Sequence, residues 1–146
     1  MPQLSGWNVR VFGSDLSTAA VARARRFRYS DLEVQRGSTP QQLRRHFRPV
    51  DDGWELMGRA RERLSWFQMN LMDTWSLPAR PDVIFMRNVL IYFDTPTKKR
   101  MIERARQALA ADGILFLGGA ETPMELDDDG WERVTRDKSS CYVRRP

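Results

Sequence analysis

Four short apolar runs, at 9–13 (VRVFG), 64–69 (LSWFQM), 83–86 (VIFM) and 114–117 (ILFL), constrain the fold more than any other feature of the chain. Runs of this length are strand-sized, and those without polar alternation suit strands covered on both faces, as in a parallel sheet. Val83 to Met86, introduced by Pro81 and Asp82, is apolar throughout and is expected to be buried on both sides. Helical sequence follows two of the runs. After the first, Ser17 can cap a helix over 17–27 in which Ala19, Ala20, Ala22 and Ala24 are strong helix formers. After the third, Thr95 and Pro96 open a helix to about 110 that Asp112 and Gly113 end. Trp131 to Arg136 and 141–144, joined by a turn at 137–140, read as an antiparallel pair. Strand and helix in alternation, closed by a hairpin, predict a doubly wound α/β sheet.

The stretch 29–63 breaks this rhythm. It is polar and punctuated by Gly37, Pro40, Pro49, Asp51, Asp52 and Gly53, with a short helix expected over 40–47. We read it as an inserted subdomain of a helix and short strands, outside the main sheet. The 146 residues are otherwise one ordinary domain, without internal repeats.

Composition excludes several classes of function. Cys141 is the only cysteine and His46 the only histidine, so an internal disulfide and a cysteine metal cluster are ruled out. A zinc site or a Ser/His/Asp triad would rest on His46, whose neighbours Arg44, Arg45 and Arg48 repel a cation. No metal is therefore expected. No stretch is long and apolar enough for a membrane span, and MPQLSGWNVR lacks a secretory core, so a soluble, cytoplasmic product without membrane insertion is expected. The net charge of +5 comes mostly from arginine, concentrated in the first half of the chain. That asymmetry points to an acidic partner or to a solvated helix face. Nucleic acid is not expected as that partner, since aromatic stacking motifs and a recognition helix are both lacking.

In an open α/β sheet ligands lie outside the carboxyl ends of the strands, and four positions qualify. Asp15 follows the first run, where a carboxylate can accept both hydroxyls of a ribose or serve as a turn aspartate. Asn70 and Leu71, followed by Met72 and Asp73, come after the second: an amide can read an adenine edge and an apolar side chain can cover its face, although a plain loop would look the same. Arg87 and Asn88 directly follow the third run and precede Val89, Leu90, Ile91, Tyr92 and Phe93, the most specific pattern in the chain. Gly118, Gly119, Ala120 and Glu121 follow the fourth, where close backbone approach or a tight turn is expected.

VFGSDLS, RGSTPQQLRRHF, WFQMNLMD, DVIFMRNVLIYFD and ADGILFLGGAET, in this order, resemble the CheR-type chemotaxis protein-glutamate methyltransferases over nearly the whole chain. The resemblance implies a class I S-adenosylmethionine methyltransferase fold, Rossmann-like, and transfer of a methyl group to receptor glutamate carboxylates, leaving S-adenosylhomocysteine. It makes Asp15 the ribose-binding acid, Asn70 and Leu71 part of the adenine pocket, and Arg87 and Asn88 contacts near the cofactor's reactive end. Arg87 and Tyr92 become the candidate catalytic residues. The segment 29–63 resembles the β-subdomain through which some members grip a receptor tail, so a methyl-accepting receptor or similar acidic protein is the expected partner. A catalytically silent module binding such a surface is the alternative.

Two differences from the family pattern carry further expectations. Members have an N-terminal helical domain and a first, central strand with a glycine-rich loop, none of which is in this sequence. The chain is thus expected to be a truncated part of the enzyme, with a sheet lacking its first strand that either is completed by another chain, as by self-association, or rearranges. Members also usually show histidine and serine where Gly119 and Ala120 stand.

Overall fold

The computed structural model describes residues 6–124, 126, 130–136 and 139–145, with Arg136 described by its backbone alone. The chain divides into two compact units, Met1–Asn70 and Leu71–Pro146.

In the first unit, β1 (Val11–Asp15) pairs in parallel with β5 (Leu64–Gln68), in a register running from Val11 opposite Leu64 to Asp15 opposite Gln68. The strand expected at 9–13 therefore begins two residues later and ends on Asp15. The ladder to β5 decides this, since Met69 N–H still donates to the Asp15 carbonyl at 3.0 Å. Gly13 lies opposite Trp66, and any Cβ at that position would run into the indole ring. Between these strands comes α1 (Thr18–Arg25), capped by the Ser17 hydroxyl, which accepts from Ala20 N–H at 3.2 Å. Arg25 ties the helix to β5 by donating to the Trp66 carbonyl from Nε and Nη2, at 3.1 and 2.8 Å.

The same unit holds β2 (Arg28–Tyr29), α2 (Asp31–Gly37), α3 (Pro40–His46), β3 (Phe47–Val50), β4 (Gly53–Leu56) and α4 (Gly58–Glu62). The strands form a small antiparallel sheet in the order β2-β4-β3. Both longer helices start with a capping box, Ser30 with Glu33 and Thr39 with Gln42, each satisfying orphan amides reciprocally. Gly53 closes the β3–β4 turn at φ 133°, a conformation that favours glycine, with the Tyr29 carbonyl against it. Glu55 is 8% exposed on β4 and bridges Arg48 at 2.6 Å and Arg61 at 2.9 Å.

The second unit is built on β6 (Val83–Met86), β7 (Ile114–Leu117), β8 (Trp131–Arg136) and β9 (Ser139–Arg144), ordered β6-β7-β9-β8. β6 and β7 are parallel, and β9 runs antiparallel to both β7 and β8. β9 starts two residues earlier than expected because Ser139 pairs with Arg136. The linking residues 137 and 138 lie outside the described residues, as does the N-terminal PQLS. α5 (Thr95–Ala108) is capped by Asp94, whose Oδ1 accepts from Thr97 N–H at 3.0 Å. Its Met101, Ile102 and Ala105 are fully buried and share a core with Leu109, Leu115 and Trp131. Packing an apolar helix stripe on a sheet face in this way explains most of the order in this unit.

The expected two-sided burial of β6 is not observed. Ile84 and Met86 face the core, whereas Val83 is 43% and Phe85 72% exposed, Phe85 stacking on Phe116 at 4.9 Å. The reason is topological: among the described residues β6 pairs only with β7, as β1 pairs only with β5, and only one face of β6 meets α5. No helix of the described residues is long and apolar enough to cross a membrane.

Candidate functional site

Asp15 is the last residue of β1 and is exposed. Its Oδ1 accepts from Ser17 N–H at 2.8 Å, which holds the carboxylate at the entrance to α1. Its Oδ2 makes no hydrogen bond among the described residues. The turn role weighed from the sequence is thus filled by one oxygen of the carboxylate. Asn70 stands two residues beyond β5 and is half-buried. Because β1 and β5 are parallel neighbours, Asp15 and Asn70 share the carboxyl end of this strand pair.

An open cleft of about 250 Å³ in the same unit runs from Ser14 and Asp15 past Ala20 and Ala24 of α1 to Tyr29 and Trp66. Asn70 does not line it. Asp15 thus faces two features, the cleft along α1 and the strand end beside Asn70.

Leu71 opens the second unit, half-buried against its core. Its carbonyl accepts from Trp75 Nε1 at 3.1 Å and from Arg104 Nη1 of α5 at 2.8 Å. A carbonyl with both lone pairs engaged is well fixed, so the backbone at Leu71 is anchored to α5. Arg87, Asn88 and Tyr92 lie together on the segment after β6, all three side chains exposed, Tyr92 at 78%. Asn88 has a left-handed φ of 57°, uncommon outside glycine, and Leu90–Tyr92 form a 3₁₀ turn. Leu90 is 2% exposed and is the buried anchor of this segment.

Sequence reasoning weighted the turn after β7 least, yet it contains the most constrained polar group in the unit. Glu121 is 6% exposed. Its Oε2 accepts from Gly118 N–H at 2.6 Å and Asn88 N–H at 2.8 Å, and its Oε1 from Leu90 N–H at 2.7 Å and Ile91 N–H at 3.3 Å. Burial pushes this carboxyl's pKa up, but the bonds from Gly118, Asn88, Leu90 and Ile91 outweigh it and hold the group below its ordinary value. Gly118 is required here by proximity: a Cβ would collide with Asn88 Oδ1 and lie 2.6 Å from Glu121 Oε2. The GGAE sequence carried a signal for close approach, but no spacing rule connects Glu121 to a segment some thirty residues earlier.

An exposed carboxylate such as that of Asp15, with an oxygen that makes no hydrogen bond among the described residues, can accept from vicinal hydroxyls.

Comparison with known proteins identifies the family. Residues 1–139 match the family model described as CheR methyltransferase, SAM binding domain. The chain is 33% identical over 121 residues to chemotaxis protein methyltransferase 1 of Pseudomonas aeruginosa, covering 82% of this chain and 44% of that protein. It is 35% identical over 123 residues to the chemotaxis protein methyltransferase of Escherichia coli, covering 81% and 43%. A probable biofilm formation methyltransferase, WspC of Pseudomonas putida, is 38% identical over 137 residues, covering 92% and 32%. The chain thus spans less than half the length of these relatives. Among solved structures, the N-methyltransferase NodS of Bradyrhizobium japonicum, in complex with S-adenosyl-L-homocysteine, superimposes with a TM-score of 0.53 at 18% identity, over 91% of this chain and 63% of that one. That likeness shows the class I methyltransferase fold. With its family model matched over 139 residues, the chain belongs to the CheR methyltransferase SAM-binding domain family.

Proposed function

We propose that this chain is the cofactor-binding part of a protein-glutamate O-methyltransferase that acts on receptors in chemotaxis-type signalling. The observation that carries the reading is the spare carboxylate oxygen of Asp15 at the end of β1, beside Asn70 at the end of β5. In this reading Asp15 takes the ribose hydroxyls, Asn70 and Leu71 the adenine, and Arg87 and Asn88 the reactive end. Bound S-adenosylmethionine would supply an electrophilic methyl group on its sulfonium. The acceptor carboxylate is ionised at neutral pH and already nucleophilic, so no residue of this chain has to act as a general base. The work left to the protein is to orient the acceptor and keep water out. Arg87 orients the acceptor carboxylate, and Tyr92 lines the place of transfer.

The segment 29–63 is the proposed docking module for the acidic receptor. The whole net charge of +5 falls within residues 1–70, while residues 71–146 balance. Arg48 and Arg61 share the single carboxylate of Glu55, which offsets one of their two charges, whereas Arg44 and Arg45 of α3 are exposed and form no salt bridge among the described residues. Surface charge of one sign steers association with an acidic partner.

Titration of the chain with S-adenosylhomocysteine tests the cofactor reading. We expect Asp15→Ala to weaken binding by about 10- to 100-fold, the equivalent of losing hydrogen bonds to a charged acceptor. An unchanged affinity would remove Asp15 from the site, and no binding by the folded wild-type chain would leave receptor docking as its role. The mass in solution of the same sample reports whether the edges of β1 and β6 that carry no strand among the described residues pair between copies.

A further inference from the structure

We infer that Glu121 is the positioning residue of the reactive half-site: its buried carboxylate fixes the backbone from which Arg87, Asn88 and Tyr92 project. The functional weight of that backbone rests on the reading above, but the structural claim does not. Arg87, Asn88 and Tyr92 are exposed, so side-chain packing does not hold them in place. What holds the segment is the burial of Leu90, the packing of Val89 and Phe93 on the same core, and the bonds that Asn88, Leu90 and Ile91 donate to Glu121. Gly118 donates the fourth bond from the carboxyl end of the neighbouring strand β7, so one carboxylate staples the segment after β6 to the turn after β7.

The chemistry of the staple argues against a generic packing role. A desolvated carboxylate without a cation is costly, and no salt bridge to Glu121 is found among the described residues. Four backbone N–H groups compensate, and all four would lose their acceptor if an apolar residue stood there. The left-handed Asn88 is the strained element of the segment, and its own N–H is one of the four donors. Strain of this kind persists only where surrounding bonds over-determine it. The Tyr142 hydroxyl donates to the Glu121 carbonyl at 3.4 Å, so the residue is also held from β9.

The test follows amide signals in ¹H–¹⁵N spectra of the full chain. In the wild type, lowering the pH should move the Gly118, Asn88, Leu90 and Ile91 amides together, through one midpoint below the ordinary carboxylate value of 4.5. Independent midpoints would overturn the staple without any variant having to fold. Glu121→Gln keeps the volume but turns an amide N–H toward the donors. It should speed hydrogen exchange at Asn88, Leu90 and Ile91 and weaken S-adenosylhomocysteine binding about tenfold, the equivalent of one charge-assisted bond. Unchanged exchange in a folded variant would overturn the inference. Faster exchange with unchanged affinity would make Glu121 structural only. If the wild-type chain does not bind S-adenosylhomocysteine, the cofactor reading fails while the exchange data still decide the staple.

Discussion

The two units of this chain are held together by different means. Among the described residues, Val21, Val34 and Leu56 are the only buried apolar side chains in residues 1–70, whereas eleven besides the buried Pro123 lie in residues 71–146, six of those eleven at 0% exposure. The first unit compensates with local polar devices: two capping boxes, the Ser17 cap and the Arg48–Glu55–Arg61 bridge. The second unit has a helix stripe packed on a sheet and a carboxylate satisfied by backbone. Burial is worth roughly 25 cal/mol per Å² and is insensitive to salt, while exposed ion pairs contribute about 0–1 kcal/mol and are screened. The proposed ribose acid therefore sits on the softer support, and the proposed reactive segment on the harder one.

The sharpest way to break this comparison is a cavity in the second core. Met101 is fully buried on α5, and Met101→Ala should cost about 2–5 kcal/mol. Hydrogen exchange should show the loss in β6, β7, β9 and α5 while β1 and β5 keep their protection. Equal loss in both places would mean that the units unfold as one, and the contrast in support would have no thermodynamic meaning.

A smaller effect separates the two kinds of carboxylate. Glu55 is held below its ordinary value first by the hydrogen bond from Arg48, against burial, with Arg61 assisting. Glu121 is held there by backbone N–H groups. Both folded pKa values lie below the unfolded one, so both groups contribute stability that is present above about pH 4.5 and lost as pH falls through the folded pKa. Added salt should weaken the stabilisation from Glu55, because its partners are exposed cations, and leave that from Glu121 nearly unchanged. Acid unfolding followed at low and high ionic strength measures this. The same salt dependence in Glu55→Gln as in the wild type would show that the bridge contributes nothing.

How far the sequence revealed these features depends on the range of the interactions. The strands β1, β5, β6, β7, β8 and β9, the Ser17 cap and the Pro96 helix start are written in contiguous residues, and their positions follow within about two residues. The shift of β1 onto Asp15 was not legible, because the register with β5 is set across fifty residues. α2 was overlooked although Ser30 and Glu33 spell its capping box, since a polar stretch with little apolar periodicity looked like loop. The exposure of Phe85 was illegible for another reason: an apolar strand predicts burial only if the chain supplies a cover for both faces. For the candidate site, Asp15, Asn70, Arg87 and Asn88 stand at strand ends where topology places ligand contacts, but the role of Glu121 arises from a contact between two loops.

The smallest predicted effect tests whether local capping really substitutes for core in the first unit. Ser30 is exposed and buries nothing, yet its hydroxyl accepts from Glu33 N–H while Glu33 Oε2 accepts from Ser30 N–H at 2.9 Å. Ser30→Ala removes one half of that exchange and should cost about 1 kcal/mol. If capping carries the local order, exchange should quicken across Asp31–Gly37 and spare β1 and β5, because Val34 is the only residue of α2 that is buried. Should the loss spread to the strand pair, α2 would be part of the support beneath Asp15, and the first unit would be more cooperative than its sparse core implies. Should nothing change, the Val34 contact alone would suffice to hold the helix, and packing would govern both halves of the chain.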